Sequence, residues 1–393
     1  MNYKISHPHK SINCEINLPS SKSISNRLLI IQAICNNNFK INNLSKSEDT
    51  KKLVNALKQK TESLDLGNSG TTLRFLTAFF SLKKNREIIL TGSKRMKKRP
   101  IKDLVDALLK IGANISYLEA EGFPPIKIKG TNLNGGKIKI NGDVSSQFIS
   151  AILLVAPLLK DNLELVICED IVSKKYIEMT LNLMSEYGIK SSFIGNNIQI
   201  KKQKYIAKDY FVESDWSSAS FWFQIAALSK DCNILLNGLS KNSYQGDKII
   251  MDLFKKLGVN SNFKDGKLLL TKSNNFDFPK KLNLIETPDL YQPIRCTLFA
   301  KNLNIEFLGI KHLKYKETDR LIALEKEIIN LKNNKLIETH NDHRMAMCFA
   351  PLCLKYDEVK IKNIDVVKKS YPSFWKDLKK SDFTVIPLID LNN

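Results

Sequence analysis

Four cations stand at the openings of strongly apolar runs in this sequence. Lys22 and Arg27 lie within a knot of serines, Ser20, Ser21, Ser23 and Ser25, just before an apolar stretch. Arg74 closes the run Gly67, Asn68, Ser69, Gly70, Thr71 and Thr72. Arg344 follows Asn341, Asp342 and His343. Ser, Thr, Asp and Asn are the preferred helix N-caps, so any one knot read alone is an ordinary cap. A cation at a helix N-terminus opposes the helix dipole, whereas an anion there is welcomed by free N–H groups. Several cation-bearing N-termini therefore point to substrates with more than one anionic group. Three further segments add to this. Arg95, Lys97, Lys98 and Arg99 precede Pro100, which can start a helix. Lys314, Lys316, Glu317, Asp319 and Arg320 mix both signs before another apolar run, and Lys368 and Lys369 follow the strand-like stretch 361–367. Arginine suits bidentate grip on carboxylate or phosphate. Each cluster taken singly reads as a solvated face; together they read as a site for polyanions.

The elements that would position these groups recur along the chain. Knots at 20–27, 67–74, 143–147, 214–220, 287–289 and 341–344 each open a buried apolar helix, at intervals of roughly 50 to 75 residues. Strand-like alternation at 87–91 and 137–140 and an amphipathic helix at 102–111 fall between them. Each repeat thus reads as strands with two helices, one buried and one facing solvent. Six repeats suggest two domains of three.

Bulk properties set the class. The chain has 393 residues, 43% of them apolar, and its longest apolar run, at 148–159, is too short for a membrane span. It reads as a buried helix. The first residues lack the apolar core of a secretory signal. Seven scattered cysteines with no CxxC pair fit free thiols and small core residues in a reducing cytoplasm. His340 and His343 are three apart without further ligands nearby, so no metal is expected. The net charge of +21, from 61 cations and 40 anions, leaves two readings: nucleic-acid binding, or a lysine-rich surface that steers small anions. The lysines are spread along the whole chain without a basic tail, which favours the second.

The ordered motifs resemble the enolpyruvyl transferases of the shikimate pathway. Ser20, Ser21, Lys22, Ser23, Ser25, Asn26 and Arg27 are similar to that family's opening signature. Leu66, Gly67, Asn68, Ser69, Gly70, Thr71, Thr72 and Arg74 are similar to its glycine loop. The likeness continues in family order through Arg95 to Ile101, Ser145-Ser146-Gln147, Ser173 with Tyr176, Asp215 to Ser220, Pro288-Asp289, Lys316 to Arg320, Asp342-His343-Arg344 and Lys369 to Pro372. It covers nearly the whole chain. It implies a two-lobed inside-out α/β barrel with three βαβαββ units per lobe. The lobes would be residues 1–20 with 214–393, and 21–213, with the active site in the cleft between them.

The resemblance also implies the chemistry. The 5-hydroxyl of shikimate 3-phosphate attacks C2 of phosphoenolpyruvate while C3 gains a proton, and the tetrahedral intermediate then loses phosphate and a C3 proton. Lys22, Gly70, Arg99, Gln147, Arg320, Arg344 and Lys369 would hold phosphoenolpyruvate. Ser23, Arg27, Ser145, Ser146, Gln147, Ser173, Asp289 and Lys316 would hold shikimate 3-phosphate. Asp289 is the expected base toward the hydroxyl and Glu317 the proton donor and acceptor at C3, with Lys22 assisting. No cofactor is implied. A cytoplasmic monomer without nucleic-acid or membrane partners is expected, as is glyphosate competing with phosphoenolpyruvate at Gly70.

Three departures from the family pattern stand out. The segment from Asp49 to Gly67 is short, Phe75 replaces a common proline, and His312 stands where an asparagine contacting shikimate 3-phosphate is frequent. A sister transferase acting on UDP-N-acetylglucosamine is the nearest alternative. It would show Lys-Asn in the first motif and a cysteine near 95–99, and neither is present. An RNA-processing protein on a related fold has only the charge in its favour.

Overall fold

Alternating burial along the strands and all-round burial along six helices organise the chain. The computed structural model describes residues 1–35 and 38–388. The chain divides into two compact units, 22–212 and 1–21 with 213–393.

In the first unit two four-stranded sheets share one connectivity. In one, Ser63–Asp65 leads through the Gly70–Ser81 helix to the parallel strand Glu87–Thr91. The Lys102–Lys110 helix and the antiparallel pair Asn114–Tyr117 and Ile126–Lys129 then follow. In the other, Gly136–Asn141, the Ser146–Val155 helix, Leu163–Cys168, the Lys174–Glu186 helix and the pair Ser191–Ile194 and Asn197–Ile200 repeat it. A third sheet is only the two-residue strands Ile41–Asn42 and Tyr210–Phe211. The short segment after Asp49 still completes the Glu48–Lys58 helix and reaches the Ser63–Asp65 strand.

Sequence periodicity explains which faces are covered. In Gly136–Asn141, Ile138 and Ile140 are buried while Lys137 and Lys139 face outward, as expected of a sheet with one packed and one wet face. Outward lysines meet carboxylates across strands, Lys137 with Glu164 at 2.7 Å and Lys127 with Glu87 at 2.6 Å. The Gly70–Ser81 and Ser146–Val155 helices are buried on all sides apart from Thr71 and Gln147. Helices apolar all round belong inside a core. These two and the Lys22–Ile34 helix pack on one another.

The second unit repeats the four-stranded pattern, interrupted by an insertion. Strand Ser11–Asn17 pairs in parallel with Asp231–Asn237, and the whole first unit is inserted between them ahead of the Trp216–Leu228 helix. Leu257–Lys264 and Lys267–Phe276 complete this sheet. A parallel pair, Lys281–Asn283 with Glu306–Leu308, flanks the Tyr291–Ala300 helix. An antiparallel sheet joins Glu358–Lys362, Asn2–Ser6 and Thr384–Pro387. The strand expected over 361–367 ends at Lys362; Ile364–Lys369 is instead a 3₁₀ helix, entered through Asn363 in a left-handed conformation that breaks the ladder. Trp216–Leu228, Tyr291–Ala300 and His343–Phe349 form the central buried helices and pack on one another. Cys232, Cys296, Cys348 and Cys353 are buried in this unit's core as free thiols.

Candidate active site

In the first unit the starts of the three packed helices converge. Lys22 Nζ lies 3.2 Å from Asp49 Oδ2, and the Ser69 hydroxyl donates to Asp49 Oδ1 at 2.8 Å. Asp49 therefore ties Lys22 to the glycine loop. Gln147 Nε2 donates to Thr71 Oγ1 at 3.0 Å, linking that loop to the Ser145–Gln147 knot. Ser145 caps its helix by accepting from the Gln147 N–H at 3.3 Å, and Ser146 is buried beside it. The far ends of the same helices, at Ile34, at Phe79 and at Leu158 in the 3₁₀ turn just beyond Val155, line one cavity of about 190 Å³. The three helices thus run in parallel, with their positive dipole ends on the side of Lys22, Gly70 and Gln147.

Gly70 lies against two arginines. A Cβ added there would fall 2.5 Å from Arg74 Nη1 and 2.5 Å from Arg99 Nη1, and both arginines are buried. Arg74 Nη2 donates to the Pro100 carbonyl at 3.4 Å, and its guanidinium lies over the Phe148 ring. Arg27 is placed differently from a simple substrate ligand. Its guanidinium is 2% exposed and donates to Thr180 Oγ1 at 2.6 Å, Ser150 Oγ at 3.1 Å and the carbonyls of Ser23 and Tyr176. Burial lowers its pKa to about 10, so the cation persists at neutral pH. Ser173, buried and left-handed at φ 57°, starts the helix that brings Tyr176 to Arg27.

In the second unit one guanidinium gathers three carboxylates. Arg320, 2% exposed, donates from Nε to Asp342 Oδ2 at 2.7 Å, from Nη1 to Asp289 Oδ1 at 2.9 Å and from Nη2 to Glu317 Oε2 at 3.0 Å. Lys369 Nζ meets the other Glu317 oxygen at 2.6 Å. Arg344 reaches Asp289 twice, through the carbonyl at 3.0 Å and through Oδ2 at 3.1 Å. Local capping sets these positions: Asp342 accepts from the Arg344 N–H, and Asp319 accepts from Leu321 and Ile322 at the start of the Arg320 helix. Burial would raise the Asp289 carboxyl, but Arg344, Lys316 and Arg320 outweigh it and hold it well below the usual carboxylate range. Burial alone would lower Arg320; the carboxylates around it push it above its ordinary value instead.

Two further groups surround Asp289. His312 is buried, its pKa is pushed down to about 3 by burial and then by Lys316, and Nε2 has no hydrogen-bond partner among the described residues. It is therefore a neutral imidazole. Asp247 was not anticipated from the sequence. It is 2% exposed, accepts the Ser217 hydroxyl, and leaves Oδ1 without a hydrogen-bond partner among the described residues. Burial, then the Asp289 charge, raises its pKa to about 7. A local signal was present: Ser240, Asn242, Ser243 and Gly246 precede Asp247, and Ile249, Ile250 and Met251 follow it, a knot of the same kind as the other six.

An α/β fold whose buried helices begin at guanidinium and ammonium groups, with carboxyl groups set among them, defines an enzyme for small polyanionic substrates. The family model described as EPSP synthase (3-phosphoshikimate 1-carboxyvinyltransferase) matches residues 6–61 and 58–378. A Bacteroides fragilis 3-phosphoshikimate 1-carboxyvinyltransferase is 41% identical over 407 residues, covering 98% of this chain and 99% of that protein. Its Mannheimia haemolytica counterpart is 36% identical, covering 95% and 98%. A solved EPSP synthase from Acinetobacter baumannii superposes with a TM-score of 0.77 across 98% of this chain and 100% of that one. At 20% identity this is a likeness of fold. This chain belongs to the EPSP synthase family.

Proposed function

We propose that this protein transfers the enolpyruvyl group of phosphoenolpyruvate to the 5-hydroxyl of shikimate 3-phosphate, releasing phosphate. The observation that carries the assignment of roles is the Arg320 cluster, in which two candidate proton-transfer carboxylates, Asp289 and Glu317, share a buried cation. Substrate phosphate and carboxylate groups compete with these carboxylates for the N–H donors of Arg320, Arg344 and Lys369. Each displacement removes a cation from Asp289 or Glu317 and raises its basicity, which brings a strongly acidic carboxyl closer to the range useful for general-base catalysis.

Asp289 then takes the proton of the 5-hydroxyl as the hydroxyl oxygen bonds to C2 of phosphoenolpyruvate, and Glu317, protonated once substrate anions have drawn Arg320 and Lys369 from it, delivers its proton to C3. In the second half the C2–O bond to phosphate breaks and the departing phosphate takes up the proton held by Asp289, while Glu317 takes a proton back from C3 and the double bond re-forms. Lys22, Gly70, Arg99 and Gln147 complete the phosphoenolpyruvate set. Ser23, Arg27, Ser145, Ser146, Ser173 and Lys316 hold shikimate 3-phosphate. Arg27 contributes mainly through Ser23 and Ser150, which it orders. Binding groups therefore come from both units of the chain, in the inside-out barrel of three units per lobe that the family likeness implies. The protein works as a cytoplasmic monomer.

The test is phosphate release from phosphoenolpyruvate with shikimate 3-phosphate or with UDP-N-acetylglucosamine as acceptor. Release that requires shikimate 3-phosphate and falls by roughly 10²-fold or more in Asp289→Ala supports the reading. Release with UDP-N-acetylglucosamine alone would replace it with the sister activity.

A further inference from the structure

Arg320 and Glu327 lie seven residues apart on one helix, two turns along the same face. Both are buried, Glu327 completely. At the first turn Arg320 holds Asp342. Two turns on, Glu327 Oε1 meets His340 Nε2 at 2.8 Å, while Oε2 accepts from the Glu338 N–H at 3.0 Å and from Asn330 Nδ2 at 2.9 Å. The helix thus grips the segment 338–342 at both ends. Between the grips, His340 and Asn341 are consecutive left-handed residues, at φ 50° and 57°. Asparagine and histidine are among the residues that visit this region, but as single residues; two in succession are held here by their surroundings. Asn363 supports it from outside, donating to Asn341 Oδ1 at 2.8 Å. The next residue, Asp342, caps the helix that carries Arg344.

We propose that Glu327 and His340 form a positioning pair for phosphoenolpyruvate binding: by fixing the left-handed turn they set where Asp342 meets Arg320 and where Arg344 enters the site. The inference rests on the reading of Arg320 and Arg344 as phosphoenolpyruvate ligands. Neither member of the pair touches substrate. A buried carboxylate that served stability alone would change the melting temperature and leave the Michaelis constants untouched, because Arg320 and Arg344 would keep their places in the molecules that remain folded.

The experiment compares wild type, Glu327→Leu, Glu327→Gln and His340→Asn well below their melting temperatures. It measures kcat, KM for phosphoenolpyruvate and the dissociation constant for shikimate 3-phosphate. Asparagine tolerates the left-handed conformation but is too short to restore the ring contact with Glu327, so His340→Asn remains informative if Glu327→Leu does not fold. Expected are a KM for phosphoenolpyruvate raised roughly ten- to hundredfold in Glu327→Leu and His340→Asn, little change in shikimate 3-phosphate binding, and recovery in Glu327→Gln, which keeps polar atoms for all three partners. A wild-type KM for phosphoenolpyruvate in His340→Asn overturns the proposal, as does a lowered melting temperature with unchanged KM in Glu327→Leu. A wild-type protein without turnover overturns the functional reading and this inference with it.

Discussion

Arg320 holds three carboxylates and Asp289 answers three cations, so the charges at this site cannot be assigned one pair at a time. Asp247 is the exception, a buried carboxyl that among the described residues accepts only a serine hydroxyl and that faces Asp289, Asp215 and Arg344. Its folded pKa of about 7 lies above the unfolded value of ~3.9. The neutral form is therefore the one the fold favours. Its contribution to stability is complete below about pH 4 and is lost as pH rises toward and through 7. Asp247→Asn has no such loss. Denaturant unfolding of both proteins across this window is expected to show the wild type losing ground at on the order of 1 kcal/mol per pH unit; parallel curves would mean that Asp247 is ionised throughout. Gly70 makes a second prediction. A Cβ there reaches Arg74 and Arg99, whose buried side chains have little room to yield. Gly70→Ala is expected to raise KM for phosphoenolpyruvate by roughly tenfold, the worth of one weakened charged hydrogen bond, and to weaken glyphosate as a competitor of phosphoenolpyruvate. Competition kinetics on both proteins check this, and an unchanged KM would place the anion away from Gly70.

Element by element, the buried helices were the most legible feature. A helix such as Trp216–Leu228, apolar on every side after an Asp215 cap, has one environment open to it, the interior. The knots named the right starts because capping is local: Asp215, Asp342 and Ser145 each accept from an N–H two residues ahead. Strands were less legible. The run 361–367 is rich in β-branched residues like a strand, yet the ladder stops at Lys362, because its extent is decided by the partner strand Asn2–Ser6 hundreds of residues away. The two-residue strands Ile41–Asn42 and Tyr210–Phe211 carry no periodic signal at all. Arg27 illustrates the same limit at a site residue. Its motif is local, but the Ser150 and Thr180 hydroxyls that enclose it come from distant helices.

For the whole molecule, the proposed shikimate 3-phosphate ligands fall in both units, Ser23 and Ser145 in one, Asp289 and Lys316 in the other. A ligand bridging the two is expected to restrict them, so shikimate 3-phosphate alone should reduce the radius of gyration in small-angle scattering. Identical curves with and without it would count against bridging. Outward lysines paired with carboxylates across sheet faces, such as Lys127 and Lys137, cancel their charge locally, so the +21 excess rests on the other cations spread along the chain, which accords with a general anion-attracting surface. The sequence by itself determined the repeat of capped apolar helices, the cations at their starts and the family, because caps, periodicity and ordered motifs are short-range properties. Only the tertiary structure decided which groups share charge. The three carboxylates on Arg320, the orphaned oxygen of Asp247 and the grip of Glu327 on His340 depend on burial and on contacts between distant segments, and neither is written in any local stretch of chain.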